Sequence, residues 1–76
     1  MSAVEYRAEM VANVLTVLVS PGQDVQSGDT LIMLESMKME IPVFAESAGS
    51  VADILVREGD VVQEGDVLVT VVATSR

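Results

Sequence analysis

Seventy-six residues are enough for one domain with a compact core and leave no room for a deep catalytic cleft. Half of the chain is apolar but Tyr6 and Phe44 are its only aromatics, so the core has to be built from small branched side chains, valine above all, and that favours strands. A net charge of −8 repels nucleic-acid phosphates and anionic membrane surfaces, and the absence of cysteine and histidine removes disulfides, the usual zinc sites and the best proton-transfer side chain.

The N-terminal stretch has no basic segment followed by an apolar run, and no segment has the length of a membrane span. A cytoplasmic protein is the default expectation. A short strand around Val4 opens the chain, and a turn leads into a longer apolar strand from Val14 to Val19. The loop from Gly22 to Asp29 follows, of the form Gly-x-x-Val-x-x-Gly-Asp, and then a strand from Thr30 to Glu35. The same order returns 37 residues later. A short strand around Ile41 precedes a strand from Val51 to Val56, the loop from Gly59 to Asp66 and a strand from Val67 to Val72. Ala8-Glu9 falls on Ala45-Glu46, Leu18-Val19 on Leu55-Val56, Val25-Gln26 on Val62-Gln63 and Gly28-Asp29 on Gly65-Asp66. The glycines mark places where backbone angles closed to other residues are needed.

Two half-sheets, each too small to cover its own apolar face, bury those faces against each other. The expected fold is all-β: a flattened barrel, or barrel-sandwich hybrid, with quasi-two-fold symmetry, forming a single domain over residues 1–76. Alternation places Ile32, Leu34, Val69 and Val71 inward and Met33, Glu35 and Thr70 on the other face. Leu31 and Leu68 break the alternation and are expected at a sheet end, where burial is less strict. The junction of the copies, Met37-Lys38-Met39, has the chain ends near Met1 and Ser75 as its counterpart, so the two are expected at opposite poles.

Lys38 is the only lysine, at the predicted turn between the strand ending near Glu35 and the strand starting near Ile41. Alone, a lysine in a turn is an ordinary solvated residue. Met37 and Met39, however, put two flexible apolar side chains at an exposed tip with nothing to pack against, which suggests a surface for docking another protein. Glu35 and Glu40 flank the same segment, and a solvated face explains them at least as well as a role in docking.

The segment Glu35-Ser36-Met37-Lys38-Met39-Glu40 resembles the Glu-Ala-Met-Lys-Met attachment motif of biotin carboxyl carrier proteins and the biotinyl domains of biotin-dependent carboxylases. The resemblance extends over essentially the whole chain, including the duplicated Gly-Asp loops and the central lysine, and is strongest to the small free-standing biotinylated proteins. It implies a non-catalytic carrier with biotin in amide linkage to Lys38, placed there by a biotin protein ligase. Carboxybiotin would then shuttle between a biotin carboxylase and a carboxyltransferase. Met37 and Met39 would direct the ligase and later docking, with Glu35 and Glu40 as weaker contributors. No catalytic residue and no metal is implied, and an isolated domain this acidic is expected to be monomeric.

The chain departs from the family pattern at Ser36, where alanine is usual, at Glu9 and Glu46, where proline is common, and at Ala12, where glycine is common. The even spacing leaves no insertion for the protruding thumb of some carriers, and the absence of an Ala- and Pro-rich linker suggests a free-standing carrier or an excised piece. Three other readings compete. A lipoyl carrier shares the fold but typically shows Asp-Lys-Ala at the tip; an unmodified barrel-sandwich adaptor would leave Lys38 free; and a hydrolase would use paired carboxylates such as Glu64 and Asp66, which turn chemistry in the Gly-Asp loop already explains.

Overall fold

The computed structural model describes residues 3–73, and these form eight strands and no helix. In chain order they are β1 (Ala3–Arg7), β2 (Ala12–Val17), β3 (Asp24–Val25), β4 (Thr30–Ser36), β5 (Met39–Phe44), β6 (Gly49–Ile54), β7 (Val61–Val62) and β8 (Val67–Ala73). Displacement by 37 residues carries β2 onto β6, β3 onto β7 and β4 onto β8 end to end, as Ala12 to Gly49 illustrates. Two antiparallel four-stranded sheets result, ordered β1-β8-β6-β3 and β5-β4-β2-β7. The same displacement converts one order into the other, so the quasi-two-fold symmetry read from the repeat is present strand for strand.

Neither sheet belongs to one copy. Only two residues separate β4 from β5, so β5 must pair with β4 across the junction, and each sheet therefore takes two strands from each half. The long strands start at Ala12 and Gly49 and end at Val17 and Ile54, two residues earlier than the apolar runs suggested. Beyond those ends a single bond persists in each half, from Leu18 N–H to the Leu31 carbonyl and from Leu55 N–H to the Leu68 carbonyl, both 2.9 Å. Leu18 and Leu55 themselves face solvent. The loops contain one further pairing each, β3 with β6 and β7 with β2, which their turn-like composition concealed.

The core is a continuous cluster of Val, Leu and Ile side chains with Tyr6, and Ile32, Leu34, Val69 and Val71 all point into it. Leu31 and Leu68 correct the expectation placed on them, because both are 0% exposed. The register between β4 and β5 slips between Thr30 and Ile32, and that between β1 and β8 slips opposite Val67 and Val69. The extra residue at each slip lets two consecutive side chains turn inward, which strict alternation forbids.

Cross-connections between the halves fix the loops. Gly28 N–H donates to the Ala45 carbonyl and Gly65 N–H to the Ala8 carbonyl, each at 2.8 Å, from glycines with φ of +93° and +91° that other residues adopt only with strain. Ala12 is accommodated as a buried member of β2, paired with Val62. At the equivalent Gly49 a Cβ would run into the Val72 carbonyl and lie 2.7 Å from Val71 Cγ1. Glu46 supplies what a proline could not: its N–H donates to the Tyr6 hydroxyl at 2.9 Å. The expected placement of the termini around Met1 and Ser75 lies outside the described residues.

Candidate functional site

The β4–β5 hairpin stays paired from Thr30 and Phe44 to Ser36 and Met39, leaving Met37 and Lys38 alone to make the turn. Both have positive φ, 54° and 66°, as two-residue turns with the twist of a hairpin require. Asn-Gly is the usual solution. A side chain held in this left-handed region costs roughly 1–2 kcal/mol per residue, so the tip carries backbone strain that an Asn-Gly pair would avoid. Without that dipeptide as a signal, the predicted turn ran from Glu35 to Ile41. The observed one is tighter because pairing continues through Ser36 and Met39.

The tight turn fixes the Lys38 Cα on a stiff ribbon while the side chain projects outward. Lys38 is exposed and forms no ion pair with any described residue. Arg7, by contrast, is engaged by Glu5 and by the Gly65 carbonyl. Met37 and Met39 stand on either side of Lys38, 91% and 64% exposed. Glu35 and Glu40 sit directly opposite each other one pair below Ser36 and Met39, Glu35 half-buried and Glu40 exposed. The structure thus brings all five predicted residues to one tip. It adds Ser36, whose hydroxyl donates to the Val11 carbonyl at 3.1 Å and ties the hairpin to the segment entering β2. A small-for-small exchange at Ser36 gave no sign of that bond.

A sequence profile of the family described as a biotin-requiring enzyme (Biotin_lipoyl) matches residues 4–71. The chain belongs to the biotin/lipoyl attachment family. Among relatives of the attachment domain, the biotinylated protein TB7.3 homolog of Mycobacterium leprae is 60% identical over 47 residues, which cover 62% of this chain and 66% of that protein. The solved structure of a single-chain, multi-domain long-chain acyl-CoA carboxylase contains a region that aligns with 97% of this chain and 7% of its own, at 34% identity and a TM-score of 0.89. The lipoyl domain of the 2-oxoglutarate dehydrogenase complex from Azotobacter vinelandii shares the fold, with a TM-score of 0.78 over 92% of this chain and 99% of that domain, at 24% identity.

As an attachment domain the chain is a carrier rather than a catalyst, and the carboxylates of its two Gly-Asp loops are taken up by the backbone. Asp66 Oδ2 accepts the Gln63 N–H at 2.8 Å, and Asp29 Oδ2 accepts the Gln26 N–H at 2.9 Å, so the carboxylates of the Gly-Asp loops hold turns. Asp66 is therefore committed to the backbone, and Glu64 beside it is exposed, which removes the support for paired-carboxylate hydrolysis. A groove of about 540 Å³ opens between β1 and β5, lined by Tyr6, Met10, Leu34, Ile41, Val43 and other residues, but none of the tip residues Met37, Lys38 and Met39 contributes to it.

Proposed function

We propose that the chain is the biotin carrier of a biotin-dependent carboxylase, with Lys38 as the attachment residue. The observation that carries this reading is the strained two-residue tip, where an exposed lysine with no ion-pair partner among the described residues stands between two exposed methionines. Methionines on both sides of the lysine favour biotin over a lipoyl group. The biotinylated relatives and the carboxylase region of like fold support the same choice.

The partners implied are a biotin protein ligase, a biotin carboxylase and a carboxyltransferase. In the modification step the neutral Lys38 Nζ attacks the acyl carbon of biotin that the ligase has activated as an adenylate. The N–C amide bond forms, the bond from acyl carbon to phosphate oxygen breaks and releases AMP, and the amine loses a proton. Once bound, the group supplies a ring that accepts and gives up a carboxyl. The domain itself contributes a rigid base, a long mobile arm and a high effective concentration at both active sites. Met37 and Met39 supply apolar contact to the ligase and later partners, with Glu35 and Glu40 around them.

Intact-mass measurement and peptide mapping of protein co-expressed with a biotin ligase test the assignment. A single biotin amide at Lys38, absent from Lys38→Arg, is the expected result. A lipoyl adduct at Lys38, or an unreacted Lys38 in folded protein, overturns it.

A further inference from the structure

The duplicated unit provides its own control for identifying a surface that serves the lysine. Apolar residues exposed in both halves, such as Leu18 and its counterpart Leu55, reflect the repeat and cannot serve one pole alone. Among the others, Leu15 (over Ala52) lies within β2 and Phe44 (over Arg7) at the far end of the hairpin opposite Thr30, away from the turn. Met10, Val11 and Val61 are 45%, 55% and 62% exposed, and the residues displaced from them by 37 are smaller or charged: Ser47, Ala48 and Asp24. All three belong to the lysine-bearing end of the molecule. The Ser36 hydroxyl holds the Val11 carbonyl and so places Val11 beside the hairpin end, and Met10, the residue before it, lies on the wall of the groove between β1 and β5. Val61 pairs with Asn13, which in turn pairs with Glu35, so Val61 lies in the row of Glu35 just below the turn, two strands away and roughly 10 Å from Glu35 at usual strand spacing.

We infer that Met10, Val11 and Val61 extend the methionine tip into one docking face for the ligase that acylates Lys38, and that the ligase meets it with an apolar seat bordered by basic residues. This rests on the biotin-carrier reading. The ligase is the occupant because it must hold the ε-amine itself, at the centre of this face. Later partners grip the cofactor ring at the far end of the arm and have less need of the surface around its root. Charge fixes the character of the seat. Glu9, Glu35 and Glu40 border the face in a chain of net charge −8, and a partner of complementary sign is required. An apolar centre with a charged rim is the usual anatomy of such contacts.

The test exchanges each residue for its counterpart in the other half, Met10→Ser with Val11→Ala and Val61→Asp, residues the fold already accommodates at the equivalent positions. Steady-state labelling by a biotin ligase is then measured with Met37, Lys38 and Met39 intact, alongside melting temperature. The KM for the carrier should rise about tenfold or more with kcat changed less than about twofold, the signature of lost uniform binding. Met10→Ser alone should show a smaller rise, and Leu55→Ser none. Wild-type KM should increase with salt. An unchanged KM in both the triple variant and Met10→Ser, or a salt-independent wild-type KM, overturns the inference. Failure of the wild-type protein to be labelled at all would instead overturn the carrier reading beneath it.

Discussion

Glu35 lies directly opposite Glu40 in the hairpin that presents Lys38, so two carboxylates face each other immediately beneath the attachment tip. Like charges so placed oppose pairing, and no described cation forms an ion pair with either of them. Glu40→Lys should raise stability by about 0.2–1 kcal/mol, as read from urea denaturation, with the gain shrinking as salt is added. The same variant should be labelled more slowly by a ligase, because it places a positive charge on the rim.

The turn carries a second such conflict. Replacing Met37→Asn together with Lys38→Gly supplies the dipeptide that positive φ at two successive residues favours. Removing the strain of two left-handed residues, about 1–2 kcal/mol each, should stabilise the fold by up to about 2–4 kcal/mol while abolishing attachment. Met37→Asn alone should keep the lysine, gain part of that stability and lower the labelling rate. A higher melting temperature paired with poorer labelling is the outcome to look for.

The bulged leucines are the core's most exacting positions. Leu31→Ala removes a fully buried side chain beside Ile32 and should cost about 2–5 kcal/mol. Leu18→Ala, on an exposed side chain bonded through its backbone to the same Leu31, should fall within about 0.5 kcal/mol of the original protein. Comparable losses for the two in chemical denaturation would contradict the placement of Leu31.

Gly49 and Ala12 occupy equivalent positions that are not interchangeable. A methyl group at Gly49 meets the Val72 carbonyl and Val71 Cγ1, so Gly49→Ala should destabilise by about 1–3 kcal/mol. Ala12→Gly should cost only about 0.5–1 kcal/mol, the usual penalty of glycine within a strand. Thermal unfolding of both variants checks the order.

Much of the architecture was legible because the repeat imposes it. Gly28 and Gly65 recur at one spacing, and Ile32, Leu34, Val69 and Val71 alternate as strands must. What stayed hidden depends on contacts between distant segments. Leu31 is buried by a register slip that no local pattern announces, and β3 and β7 pair within segments whose composition reads as turn. The site divides in the same way. Lys38 and its methionines stand together in the chain, whereas Val11 reaches them only through the Ser36 hydroxyl, 25 residues away in sequence.

The hairpin from Thr30 to Phe44 has one more property. Among the described residues it is the only pairing between strands that follow one another directly along the chain, since β1 waits for β8, β3 for β6 and β2 for both β4 and β7. Loop closure delays every one of those distant partnerships, whereas a hairpin with a two-residue connection can zip on a microsecond scale, about 1–10 μs. The piece of chain that offers the lysine is thus also the natural nucleus on which the remaining strands can condense.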